Sequence, residues 1–387
     1  MVIGSSEKDD IYSPDAGSDP ELGLGAEIKV PETKAPETKA PETKVPSITN
    51  DYSHNHNKNN NHHYYYSPHT VKGALNNNEP LDEFLHVISV ISNPCNYRRR
   101  YQLAKEFTNR MRTEKSIKFY IVELVYTYSP NKFTLTNKDD PFHLQIKTDT
   151  PWLWHKENMI NIGVNKLLPK DWKAFAYVDM DIEFENVHWA KDTLKLLNGV
   201  FDVVQPFSHA IDMDQNMDAM THVSSASFQY FRKREYLMTP PPKQCHPGYC
   251  LAMTRKAYIQ IGGLFEYSIL GSGDHNMIMS FLGMGYRSYN SAVSSGYKKF
   301  VHQFEERATG LRLGYTPGVI SHYFHGQKVK RFYNSRWEIL IKSSFDPELH
   351  LDKTEIGLLI PSKDCPKQLL IDIADYFRSR DEDEFTK

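Results

Sequence analysis

The sequence predicts an α/β protein with a mixed, mostly parallel sheet flanked by helices, and three observations carry that expectation. From Leu81 onward, short apolar runs rich in β-branched residues alternate with stretches of helical character, as in parallel strands joined by crossover helices. One of those runs, Ala174-Phe175-Ala176-Tyr177-Val178, stops directly on the carboxylates of Asp179-Met180-Asp181. Before Leu81 the texture differs, and no apolar period recurs that could build a core.

Composition separates these two parts. The chain has 387 residues, with 46 Lys plus Arg against 48 Asp plus Glu and a formal net charge of -2. That balance excludes the broad basic surface of a general nucleic-acid binder. Hydrophobic residues make up 40% and the mean hydropathy is -0.58, which points to an unfolded portion. Residues 31–46 read PETKAPETKAPETKVP, where a proline every fifth position prevents a continuous helix. The period is too short for a helical solenoid. His54 to Tyr66, HNHNKNNNHHYYY, carries histidines that could chelate a metal but reads as an Asn-rich spacer. Such tracts are a compositional hint of an A+T-rich genome, giant DNA viruses included. Residues 1–80 are expected to be a disordered tail, 81–345 a catalytic α/β domain, and 346–387 a helical extension packed on it.

No run of about 18 apolar residues is present, so no membrane-spanning helix is expected. The first ten residues lack a basic segment followed by an apolar one, so no secretory signal is expected either. Cys95, Cys245, Cys250 and Cys365 are too scattered for a disulfide scaffold, a zinc ribbon or a redox pair. A reducing, cytoplasmic compartment follows as the expectation.

The elements are predicted in order. Phe84 to Ile91 is a buried strand, ended by the turn Ser92-Asn93-Pro94-Cys95-Asn96, and Tyr97 to Met111 is helical. Ile117 to Val125 is a second strand. Trp154 to Leu168 is a helix stopped by Pro169, and Ala174–Val178 is a third strand. Val187 to Leu197 reads as helix and Asp202 to Pro206 as strand. Pro247 to Arg255 contains a strand leading into the helix Lys256–Ile261, which Gly262-Gly263 terminates. Asp274 opens a helix over Asn276–Leu282. Trp337–Phe345 and Lys367–Arg380 read as helices, the latter with Leu369, Leu370, Ile373 and Phe377 on one face, and Asp381–Glu384 as a frayed end. In such a sheet, ligands bind beyond the carboxyl ends of the strands.

Three groups of residues carry chemistry. Asp179 and Asp181, two apart where the chain leaves the sheet, can hold a hard divalent cation against a diphosphate. A second copy of the pattern, Asp212-Met213-Asp214, sits in a polar stretch and reads as a solvated loop. The glycines around Ser272, Gly271 and Gly273, let backbone pass close to a sugar. Asp274, which they precede, is a helix cap or a general base for an acceptor hydroxyl. Finally, His322 and His325 near Gly326, with Arg331 and Arg336 beyond, could complete a metal site. Residues three apart oppose one another on a strand, so only one of the two is expected to ligate. No HExxH accompanies them, which disfavours a zincin-type hydrolase.

In this order the motifs resemble those of the GT-A glycosyltransferases, especially the branch of the β-1,4-galactosyltransferases and polypeptide GalNAc-transferases. The resemblance covers roughly residues 84–340. It implies a Rossmann-like nucleotide-diphospho-sugar transferase fold. It further implies that Pro94, Asn96 and Arg98 hold the nucleotide, with Trp154 and Lys156 before the segment Asn161-Ile162-Gly163. Gly248 and Gly271 would line the donor site and Asp179 would contact the donor. Asp179, Asp181 and His325, rather than His322, would bind Mn2+ or Mg2+, and Asp274 would be the catalytic base. The family's glycine loop carries a tryptophan that is absent here, and Phe265 or Tyr267 is expected to stack on a sugar instead. Ser272 and Gly273 stand where the family often has a Gly-Glu pair before the base, and His275 and Asn276 replace further acidic residues.

The implied activity is a metal-dependent, inverting transfer of a sugar from a nucleotide-sugar, expected to be a UDP-sugar, to a glycan or protein acceptor. A glycoside hydrolase would instead need two carboxylates flanking the bond. A nucleotidyltransferase of similar fold is a rival, although Ser92–Asn96 lacks its glycine-rich signature. A non-catalytic sugar- or nucleotide-binding relative is another, and an interaction hub acting through the PETK repeats a third.

Overall fold

Described by a computed structural model are residues 83–128, 132–232 and 245–384. The expected tail, residues 1–80, lies outside them. In chain order the elements are β1 (Leu85–Ser92), α1 (Arg98–Thr113), β2 (Ile117–Tyr126), β3 (His143–Thr148), α2 (Lys156–Leu167), β4 (Ala174–Val178) and β5 (Ile182–Phe184). Next come α3 (Trp189–Leu197), β6 (Val203–Gln205), β7 (His209–Met213), β8 (Ala219–Ser225) and α4 (Ala226–Arg232). From Cys245 they continue as β9 (Cys245–His246), β10 (Cys250–Thr254), α5 (Arg255–Ile261), α6 (Gly273–Phe281), α7 (Ser295–Ala308), β11 (Leu313–Tyr315) and β12 (Val319–His322). The last are α8 (Trp337–Lys342), α9 (Pro347–His350), β13 (Leu351–Lys353), β14 (Leu359–Pro361) and α10 (Lys367–Ser379).

The strands read as unbroken apolar runs because they serve two cores at once. Leu85, Val87 and Ile91 of β1 belong to one buried cluster and Ile88 to the other. In β4, Ala174, Ala176 and Val178 alternate in the same way with Phe175 and Tyr177. Helices therefore cover both faces, which is the condition under which a parallel sheet is stable. Phe107 and Met111 of α1 lie on one side, and Met159, Ile160 and Val164 of α2 on the other. Gly163 lets α2 sit close: a Cβ there would be 2.9 Å from Val122 Cγ2.

The main sheet has the order β11-β6-β10-β4-β1-β2-β3. Its pairs are parallel except where β10 runs antiparallel between β4 and β6. The mixed, mostly parallel α/β architecture matches the expectation. A second sheet, β5-β12-β7-β8-β9, stands beside it. There β12 pairs with both β5 and β7, so that His322 is opposite Ile182 on one side and Asp212 on the other. This register brings the end of β12 to the residues that follow β4.

Two expectations are corrected here. Asp212 is not in a solvated loop: it lies within β7 and is 2% exposed. Only its twin Asp214 sits in the turn, where its carboxylate accepts from the N–H groups of Asn216 and Asp218. The chain end is not frayed at Glu382, which is 2% exposed because Arg100 and Arg380 both pair with it. The segment after Phe345 also contains the β13–β14 hairpin as well as helices. Leu369, Ile373 and Phe377 of α10 are buried in the cluster that includes Trp154 at its edge. No helix of the described residues is long and apolar enough to cross a membrane.

Candidate active site

The site forms at the carboxyl end of β4, where the chain must leave the sheet. The Asp179 N–H donates to Tyr249 O at 2.8 Å, tying the exit of β4 to the entry of β10. The Tyr323 N–H donates to Asp181 O at 2.8 Å, tying the same segment to the exit of β12. Backbone pairing thus carries Asp181 and both histidines to one point.

At that point Asp181, His322 and His325 each offer a ligand atom, all within 4.8 Å of one another. His325 Nε2 is 3.0 Å and His322 Nε2 3.9 Å from Asp181 Oδ2. His322 was expected to face away, on the geometry of a strand. Instead the strand ends at His322, and the following turn brings His325 back to the same carboxylate. Asp181 Oδ1 is buried without a hydrogen-bond partner among the described residues. His325 Nε2 also receives Arg331 Nη2 at 2.8 Å. One ring nitrogen cannot both accept from Arg331 and donate to Asp181, so in any one tautomer only one of these two contacts is a hydrogen bond. Burial opposes ionisation of Asp181, but His325, His322 and Arg331 outweigh it and hold the carboxyl well below its usual range. Two imidazoles and a carboxylate are a donor set for Mn2+ or another transition metal more than for Mg2+, which prefers oxygen ligands.

Asp179 is engaged differently. Its carboxylate accepts from Lys156 Nζ, with a shortest contact of 2.6 Å, and lies outside the three-residue cluster. Burial pushes its pKa up to about 6 against the pull of Lys156, with Asp181 and Asp274 adding to the rise. Lys156 opens α2 and also lies 5.2 Å from the Tyr177 ring. Burial lowers its pKa, but Asp179, Asp274 and Glu157 more than reverse that, and the ammonium is retained. Glu157, 2% exposed, is pushed up to about 8 by burial. A concentration of carboxylates around one lysine is stabilised by an added cation or by protons.

Asp274 stands in the first turn of α6, not at its cap, a position taken by Ser272 at φ 78°. Its Oδ1 accepts from the His275 N–H at 2.8 Å. Burial would raise its pKa, but the charges of Lys156 and His246 and the backbone donor hold it below the ordinary carboxylate value. Gly248 lies against it: a Cβ at Gly248 would fall 2.0 Å from Asp274 Oδ2. Gly271, at φ 89°, makes room for Trp154 and Arg336.

A cavity next to this group is lined by Pro94, Cys95, Tyr97, Arg100, Trp154, Lys156, Asp179, Asp181, His325 and Arg380 among others. Of the residues singled out from sequence, Pro94, Trp154 and Lys156 line this cavity, whereas Gly248, Gly271 and Asp274 are not among its lining residues. Asn96 and Arg98 are not among the lining residues: both are exposed, and the Arg98 N–H donates to Asp383. Arg100 takes the place expected of Arg98, because it shares the inward face of α1 with Leu103, Ala104 and Phe107. Asn161 is also away from the cavity, where it binds the Leu264 backbone and Glu266. Phe265 cannot stack on a sugar, since it is 2% exposed and packed on Tyr297 and Phe304. Tyr267 packs edge-on against Phe300, and Asn276 is fully buried, bonded to Ser268 and Ser288.

Asp212, Arg100, Arg380 and Glu382 were not assigned to the site from sequence, and His322 was named there only as the less favoured alternative to His325. For Arg100 the helical period was a usable signal. For the others only the sheet register and the return of the C-terminus reveal the contact.

Fold and site together define an α/β protein with a candidate cation centre and a candidate base at the carboxyl end of its sheet. No family model matches the sequence, and no curated protein matches it. Among solved structures the chain is similar to a Drosophila β-1,4-galactosyltransferase 7 mutant in complex with manganese, UDP-Gal and xylobiose. The identity is 10% and the TM-score 0.36, over 72% of this chain and 93% of that one. It is also similar to a mannosyltransferase from Pyrobaculum calidifontis in complex with GDP-Man and Mn2+, at 12% identity and a TM-score of 0.35, over 70% and 65% of the respective chains. A third similarity is to 4-diphosphocytidyl-2C-methyl-D-erythritol synthase from Anaerococcus prevotii, at 11% and 0.30, over 65% and 90%. Likeness at this level leaves the chemistry of the site to its own geometry.

Proposed function

We propose that this chain is a metal-dependent glycosyltransferase that moves a sugar from a nucleotide-diphosphate sugar, a UDP-sugar, to an acceptor hydroxyl with inversion. The observation that carries the reading is the Asp181–His322–His325 cluster. It lies beside the Lys156 and Arg100 side chains of a cavity at the end of a parallel sheet. A divalent cation held by Asp181, His322 and His325 would neutralise charge on a departing diphosphate.

The chain's own residues perform the rest. Lys156 and Arg100 supply fixed positive charge to the phosphates, and Trp154 with Pro94 forms an apolar wall for the nucleotide. Asp274, kept ionised, takes the proton of the acceptor hydroxyl as its oxygen attacks the anomeric carbon. The bond from that carbon to the diphosphate oxygen breaks on the opposite side, and the nucleoside diphosphate leaves. Asp179 holds Lys156 in place at 2.6 Å.

The test is a screen of nucleotide-sugars for donor hydrolysis and transfer in the presence of Mn2+, with Asp274→Asn alongside. Turnover by the native chain, reduced by Asp274→Asn while UDP binding is kept, is the expected result. UDP and Mn2+ binding without hydrolysis of any donor would point to a binding protein instead.

A further inference from the structure

We propose that Asp212 is a positioning residue for the metal centre, holding His322 by Nδ1 so that Nε2 is presented to Asp181. The proposal rests on the metal-binding reading of the Asp181–His322–His325 cluster. The parallel pairing of β12 with β7 sets His322 directly beside Asp212. Asp212 Oδ1 lies 2.7 Å from His322 Nδ1, and His322 Nε2 is the atom turned toward Asp181.

The surroundings of Asp212 leave the imidazole one way to bond. The Tyr249 hydroxyl donates to Oδ1 at 2.9 Å, the Thr221 hydroxyl to Oδ2 at 2.8 Å, and the Lys328 ammonium also to Oδ2. A buried carboxylate surrounded by three donors is an acceptor, so the ring must give it an Nδ1–H. That tautomer leaves the Nε2 lone pair for a cation. A carboxylate behind a liganding histidine fixes both its orientation and its tautomer, and raises its basicity. His325 has a looser counterpart in Glu382, 3.6 Å from its Nδ1. Asp212 holds its ring at hydrogen-bond distance, which makes His322 the better aligned of the two.

The alternative is a purely structural ion joining β7, β8 and β12, and the experiment separates the two. Binding of Mn2+ alone is followed by electron paramagnetic resonance on the full chain, on Asp212→Asn, on His322→Gln and on the double variant. Asp212→Asn is expected to weaken Mn2+ binding ~10–100-fold, and to add nothing in the His322→Gln background. Nitrogen-15 NMR of the metal-free native chain is expected to show His322 as the Nδ1–H tautomer. Undiminished Mn2+ binding in Asp212→Asn, or an additive loss in the double variant, would overturn the proposal and leave the metal site standing. An Nε2–H tautomer in the native chain would overturn it even if Asp212→Asn does not fold. Absence of Mn2+ binding by the native chain would remove the metal reading itself.

Discussion

Replacing Gly248 by Ala tests the placement of the base with a single methyl group. The new Cβ would stand 2.0 Å from Asp274 Oδ2 and 3.1 Å from its Cγ, where ordinary contact begins at 3.4 Å. The carboxylate must then withdraw by about 1.4 Å, because His246 Cε1, at 3.2 Å, closes another side. Misplacing a reacting group by ~1 Å costs on the order of 100-fold in rate, or about 2.7 kcal/mol in the barrier. Gly248 is not in the left-handed region, so alanine demands no unusual φ there, and the closest encounter is with Asp274, ahead of a lesser one with His246. Steady-state kinetics of sugar transfer, with a melting curve as control, should show kcat down ~100-fold, nucleotide affinity retained and little change in Tm. Native kcat in this variant would refute Asp274 as the base.

Other predictions concern the supports of the site. His155 is 1% exposed, and burial pulls its pKa from 6.5 down to about 4. Its contribution to stability is complete above pH 6.5 and lost as the pH falls toward 4, amounting to ~3 kcal/mol; melting curves from pH 7 to 4.5 should fall more gently for His155→Gln. Glu123, fully buried, accepts from the Thr134, Leu135 and Thr136 N–H groups and the Thr136 hydroxyl. Glu123→Gln leaves a donor facing donors and should cost about 2 kcal/mol in urea unfolding. Glu382→Ala strands the partly buried Arg100 and the buried Arg380 and should cost ~3–5 kcal/mol, together with a raised KM for the donor. An unchanged KM would show that the C-terminal segment does not shape the cavity.

Five strands of the main sheet, β1, β2, β4, β6 and β10, were legible because burial on both faces leaves a plain mark, a continuous apolar run such as Leu85–Ser92, whereas the edge strands β3 and β11 were not read from the sequence. Asp179 and Asp181 were legible for the same reason, since the run of β4 ends on them. What escaped is what depends on pairing between distant segments. Asp212 sits on the buried side of β7 with Ala210, yet its polar neighbours made the stretch read as a loop. Its burial depends on His322, Tyr249 and Lys328, which arrive from elsewhere in the chain. Glu382 was hidden likewise, because an acidic end looks solvated until two arginines are known to meet it. Arg98 and Arg100 differ only in helical phase, and the apolar period of α1 selects Arg100.

The most direct test of the account is transfer from a UDP-sugar by the native chain, measured with Mn2+, after chelation, and in Asp181→Ala with Mn2+ restored. The account predicts turnover that vanishes on chelation, returns with Mn2+ in the native chain and stays absent in Asp181→Ala. Turnover that persists without metal, or survives Asp181→Ala, would contradict it.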